Sequence, residues 1–328
     1  MKKLAADLKA NNIEKLYLFT GDEPYLINMY EKILTQAVLP DGQNGMNHDR
    51  FTGKNVKAEE IFQALETLPF MSEKRLVTVV DSGLFASGRK AESESFLTLI
   101  KDLPDTSVLL FVELNVDKRL ALYKAVAKSA RVVEFKTPSE NDMLTWIIRE
   151  LKKGGLIIDK ETALCLLRSV GDDMETVLQE INKLISYKNS GQLVSSEDID
   201  TICAKNLEAR VFDLVGAVAE KNVKKAMDDY NILMALKESP IMVLTMIARQ
   251  FRLILECKDA KGSNAEIAAK LDIRPFVVTE CVKQGRNFTK AALIEAVKDC
   301  YEADLSIKTG RMADRTAIEI LIAKYAAV

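Results

Sequence analysis

The sequence predicts one α/β domain followed by two all-helical domains, and three observations carry that reading. Short apolar or β-branched runs alternate with helical patterns through residues 1–136. The alternation stops at Lys136-Thr137-Pro138-Ser139, where Pro138 disfavours helix at Thr137 and Ser139 is suited to cap a helix that follows. No convincing strand lies beyond that point. Strands alternating with helices require βαβ crossovers, hence a mostly parallel sheet covered on both faces.

The elements follow in order. Strand-like runs occupy 16–19, 76–80, 108–112 and 132–135, with a weaker one at 48–52; helical patterns lie near 23–37, 58–67, 91–101 and 118–128. Residues 137–205 form a small helical domain of about four short helices, divided at Gly154-Gly155, at Gly171-Asp172-Asp173 and at 188–191. Residues 206–328 form a third unit with helices near 208–220, 222–236, 240–260, 264–271, 275–285, 289–308 and 314–326. Within it Leu244, Ile247, Phe251 and Ile254 make one apolar face at helical period, as in a bundle.

Composition narrows the function. The chain has 328 residues, 48% apolar and 29% charged, which is ordinary for a soluble globular protein. Neither a signal peptide nor a membrane span is expected from the apolar runs, so the expected location is cytoplasmic. The five cysteines are isolated, which suits buried thiols in a reducing compartment, and His48 is the single histidine. A His-rich metal site is thereby excluded, and hydrolytic or metal-dependent catalysis is poorly supported. Net charge is −2 with no polybasic block, which argues against strong independent DNA binding and leaves room only for weak or shared contact.

Residues 15–34, K-L-Y-L-F-T-G-D-E-P-Y-L-I-N-M-Y-E-K-I-L, have the outline of a phosphate-binding loop: an apolar strand, a glycine, then a helix. A functional loop reads G-x-x-x-x-G-K-[ST], whose amides and lysine hold the phosphates. Counted from Gly21, the second glycine position is Leu26, the lysine position Ile27 and the Ser/Thr position Asn28. Asp22 and Glu23 would repel a triphosphate, and the strand at a Walker-B position ends in one carboxylate, Glu113. No nucleotide, metal or other cofactor is expected; the plainer alternative is a strand-to-helix turn with an acidic cap.

Three further segments have two readings each. Leu68-Pro69-Phe70-Met71 is either core packing against the following strand or a protruding apolar tip suited to a partner's groove. Residues 265–286 resemble a helix-turn-helix, with Lys283 and Arg286 nearby, but such spacing is common in helical bundles. Lys308 and Arg311 flank Gly310 at a helix end, placed to meet the terminal carbonyls; a partner or a DNA phosphate is the second reading.

Taken together, L-Y-L-F-T-G-D-E-P-Y-L-I, T-L-P-F-M-S-E-K-R-L-V, Q-G-R-N-F (284–288) and E-A-D-L-S-I-K-T-G-R (302–311) resemble the delta-subunit family of the bacterial DNA polymerase III clamp loader. The resemblance implies an AAA+-like fold: a P-loop-type parallel-sheet domain, a helical lid and a helical collar. It implies a subunit of the polymerase holoenzyme with no catalysis of its own, similar in fold to its ATPase partners but binding no ATP. The implied partners are the sliding clamp (beta), the tau/gamma ATPases and delta-prime, with primed DNA held through the assembly. In the family an apolar pair on the tip after the second helix of the α/β domain grips the clamp. By position that pair is Pro69-Phe70; Phe70 keeps the aromatic, Pro69 departs from an aliphatic side chain, and Leu68 or Met71 is the alternative second anchor. An active P-loop-type NTPase with an atypical loop and a helix-turn-helix DNA-binding regulator are the competing functions.

Overall fold

The computed structural model describes residues 2–40 and 44–327. Contacts divide the chain into two compact units, Met1–Pro138 and Ser139–Val328.

The first unit runs α1 (Lys2–Lys9), β1 (Leu16–Gly21), α2 (Pro24–Val38), α3 (Asn44–Asn47), β2 (His48–Thr52), α4 (Ala58–Glu66), β3 (Arg75–Val80), α5 (Lys90–Leu99), β4 (Ser107–Glu113), α6 (Ala121–Ser129) and β5 (Arg131–Phe135). All strand pairs are parallel, in the order β2-β3-β4-β1-β5. Every residue of β1 and β4 is buried, as expected of central strands covered on both faces. On one face Leu16, Leu18, Leu109 and Phe111 pack with Ile61 and Leu65 of α4, Phe96 of α5 and Leu122 and Val126 of α6. On the other, Phe19 meets Phe135 edge-on at 5.2 Å, and Tyr30 of α2 lies 5.3 Å from Phe135.

Two short helices add to the sequence reading: α1, whose Leu4 and Leu8 are buried one turn apart, and the four-residue α3. From β1 the chain runs to β2 at one edge of the sheet, while its neighbour β4 connects past β1 to β5 at the other edge, so the direction of connection reverses between β1 and β4. In open α/β sheets that switch point is where ligands bind, outside the strands' carboxyl ends.

His48 begins β2 half-buried, with Nε2 2.9 Å from Thr78 Oγ1 of β3. Burial lowers its pKa from the ordinary value near 6.5, against the opposing pull of Asp49. The unfolded chain therefore takes up this proton first as pH falls, and stability is lost from about pH 6.5 down through the folded value. Urea unfolding between pH 7 and 5 is expected to show a smaller fall for His48→Gln than for wild type; parallel profiles would contradict it.

The second unit is helical: α7 (Glu140–Lys153), α8 (Lys160–Val170), α9 (Met174–Tyr187), α10 (Ser196–Ile202), α11 (Leu207–Ala219), α12 (Val223–Ala235), α13 (Pro240–Asp259), α14 (Asn264–Leu271), α15 (Pro275–Gly285), α16 (Lys290–Lys308) and α17 (Asp314–Ala327). Side chains cap many of the helix starts, including a capping box at Ser139 with Asp142. Helices α7 to α10 pack among themselves, and one short strand-like bridge, Ile157 to Leu193, joins their loops where no extended pairing was expected. Helix α13 is the axis of the remainder. Its Val243, Leu244, Ile247, Phe251 and Ile254 are buried, and Phe251 lies 5.8 Å from both Phe288 and Tyr325. Cys203, Cys257, Cys281 and Cys300 are buried free thiols, and burial pushes Cys281 up to about 12, which keeps it inert.

Candidate functional site

The loop leaving β1 stands at the switch point, yet its amides are already bonded within the protein. Gly21 N–H donates to Leu114 O at 3.2 Å, and Asp22 and Glu23 N–H both donate to Phe135 O, at 2.9 and 3.3 Å. Pro24 opens α2 with no N–H to offer, and Tyr25 N–H donates to the carboxylate of Glu23 at 3.2 Å. A buried carboxylate thus occupies the helix N-terminus, the place a phosphate would take. Leu26 and Ile27 turn into the core and Asn28 is exposed, so the position of a phosphate-binding lysine belongs to the sheet packing. Gly21 itself is required: its φ is +124°, and a Cβ there would lie 2.1 Å from Phe135 O.

At the end of β4, Glu113 is likewise turned inward. It accepts from Ser82 N–H at 2.9 Å, from Ser82 Oγ and from Gly83 N–H at 3.3 Å, stitching the loop after β3 to its neighbour. Burial raises its pKa, since the charged form is desolvated there. Among the described residues no group of His, Cys, Asp and Glu could hold a metal ion, and no helix is long and apolar enough to cross a membrane.

The segment after α4 has the opposite character. Thr67 caps α4 with its N–H on Gln63 O, and Pro69 keeps the chain from continuing as helix. Leu68, Phe70 and Met71 are 77%, 53% and 78% exposed, and Pro69 is half-buried. The two ends of this tip are fixed to the sheet. Ser107 Oγ donates to Leu65 O at 2.6 Å, while Arg75 Nε donates to Asp49 at 3.0 Å and Arg75 N–H to Thr106 O at 2.8 Å. In the middle, the fully buried side chain of Asn47 bonds both peptide groups of Phe70. The core alternative for Phe70 and Met71 is therefore not what the structure adopts. Sequence reasoning missed Asn47, and Met46 beside it, which is well exposed. The available signal was a methionine standing alone in the polar run N-G-M-N-H-D-R.

The helix-turn-helix spacing corresponds to α14 and α15, joined through Asp272 in the left-handed region (φ 53°). Ile267, Ala268, Val278 and Cys281 lie in the bundle core. The start of α15, which would enter a DNA groove, is tied elsewhere: Arg168 of α8 bonds Glu280 at 3.0 Å and lies 5.3 Å from the Phe276 ring centre. Lys308 and Arg311 also depart from expectation. Lys308 Nζ bonds Asp304 at 2.7 Å and Arg311 Nε bonds Thr309 Oγ1 at 3.1 Å. Backbone N–H groups take the carbonyls instead, Gly310 on Ile307 and Arg311 on Ser306.

The parallel sheet of this order, its phosphate-loop position sealed by its own chain, and the helical unit that follows make an AAA+-like fold. Residues 17–136 match the family described as DNA polymerase III, delta subunit, and residues 208–325 match the DNA polymerase III delta subunit, C-terminal domain. The DNA polymerase III subunit delta of Bacillus subtilis (strain 168) is 26% identical, over 96% of this chain and 94% of that one. The probable DNA polymerase III subunit delta of Aquifex aeolicus (strain VF5) is 21% identical, over 72% and 68%. In structure, the Bacillus subtilis DNA clamp loader delta protein superposes with a TM-score of 0.68 at 23% identity, covering 100% of this chain and 99% of that one. The chain belongs to the DNA polymerase III delta-subunit family.

Proposed function

We propose that this chain is a non-catalytic clamp-loader subunit that binds the sliding clamp through Phe70 and helps open it for loading on primed DNA. The observation that carries the reading is an exposed, braced apolar tip on a domain whose own phosphate loop is closed. Phe70 is the aromatic anchor, and Leu68 and Met71 are better exposed than Pro69 as its companion. A ligand shifts an equilibrium only by its differential affinity, so the tip must bind the open clamp more tightly than the closed ring. Residues 137–205 serve as the lid and 206–328 as the collar that joins the tau/gamma ATPases and delta-prime. ATP bound by those partners governs access to the tip, and the assembly as a whole holds the DNA. The work is done in the cytoplasm, where the replisome operates.

The bonded amides at Gly21, Asp22 and Glu23 and the buried Ile27 support a subunit that takes no nucleotide. Calorimetric titration of the isolated chain with Mg-ATP is expected to give no saturable heat up to millimolar concentration. Micromolar binding would establish the NTPase reading in its place.

A further inference from the structure

Asn47 closes α3, one residue before β2, and its side chain is fully buried beneath a tip whose own side chains are exposed. Its amide uses both functions on one residue: Nδ2 donates to Phe70 O at 2.8 Å, and Oδ1 accepts Phe70 N–H at 2.7 Å. Two bonds to the N–H and C=O of the same residue fix the direction in which that residue's Cα carries its side chain. The next residue, Met71, sits at φ 48°, a conformation that non-glycine residues hold only where their surroundings impose it. The ends of the tip are held separately, at Leu65 by Ser107 and at Arg75 by Asp49. Loss of the Asn47 amide would therefore remove two bonds from the middle of the tip and leave the attachments at its ends in place.

We propose that Asn47 is a positioning residue for clamp binding: it does not contact the clamp itself, and it holds the Phe70 backbone so that the ring is presented in one direction before the clamp arrives. The proposal rests on Phe70 being the clamp anchor. Presenting an anchor already ordered removes part of the entropy lost on association, so the effect should appear as affinity. A primary amide carries its donor and its acceptor on separate atoms of one short, neutral group, so it can bond an N–H and a C=O at once; alanine can do neither.

The test measures binding to the immobilised sliding clamp of the same organism for the full chain as wild type, Asn47→Ala, Phe70→Ala and the double variant. Amide exchange at Phe70 is followed in the free wild-type chain. Asn47→Ala is expected to weaken binding roughly tenfold in the wild-type background and by less than about twofold when Phe70 is already alanine, because a positioning residue loses its effect with the group it positions. The Phe70 amide is expected to exchange slowly in the free protein although its side chain is exposed. Unchanged affinity in Asn47→Ala, or an equal loss in both backgrounds, overturns the positioning role. Exchange at the rate of an unstructured loop overturns it as well, even where Asn47→Ala does not fold. If Phe70→Ala itself binds the clamp normally, the clamp reading fails first, and that result is distinct from the others.

Discussion

Replacing Phe70 with alanine is expected to weaken binding to the sliding clamp by about 2 kcal/mol or more, some thirtyfold, the loss typical of an aromatic anchor buried in a partner's pocket. Its ring is half exposed in the free chain, so the same substitution removes little internal packing. Stability to urea should therefore change by less than about 1 kcal/mol, which separates a binding defect from a folding defect. Companion substitutions identify the second anchor. Leu68 and Met71 are each largely exposed, whereas Pro69 is partly covered and rigid. Whichever of Leu68→Ala and Met71→Ala costs more than about 1 kcal/mol of clamp binding is the second anchor. An undiminished affinity in Phe70→Ala would remove the tip from the interface.

Substitution of Gly21 by alanine acts on the fold and should be the most destabilising change in the closed loop. The position needs φ +124°, which L-residues adopt at a cost, and the added methyl would meet Phe135 O at 2.1 Å, a distance no carbon tolerates. Relief requires β1 and β5 to part at their carboxyl ends, where the Asp22 and Glu23 N–H bonds to the same carbonyl would break. Strain together with the lost bonds should lower stability by about 3 kcal/mol or more, read from the urea midpoint. A midpoint within experimental error of wild type would show that the loop is slack. Its amides would then be open to a ligand after all.

These two residues mark the limits of what could be read from the sequence. The α/β unit was legible because its central strands are unbroken apolar runs and Gly21 stands where a strand must turn into a helix. The helical half was legible from period and caps, down to the turn at Asp272. Short elements were not: α1 rests on Leu4 and Leu8 alone, and N-G-M-N carries no period from which a four-residue helix could be read. The missing lysine argued that no nucleotide binds, but the bonds that close the loop depend on the carbonyl of Phe135, on a strand more than a hundred residues away. Phe70 was ambiguous from pattern, since an aromatic residue before an apolar strand usually packs in the core. Family position moved it to the surface. Asn47 was illegible because its partner lies 23 residues along the chain, and a buried asparagine in a polar run resembles any loop asparagine. Lys308 was misjudged for a related reason: an acidic side chain one turn back competes for it, and backbone amides reach the carbonyls first.

The central claim is that this subunit binds the clamp by itself, without nucleotide. A titration of the isolated chain against the sliding clamp, with and without Mg-ATP, tests it most directly. Saturable binding with the same affinity in both conditions is the expected result. Binding that appears only with Mg-ATP, or no binding in either, would contradict the account.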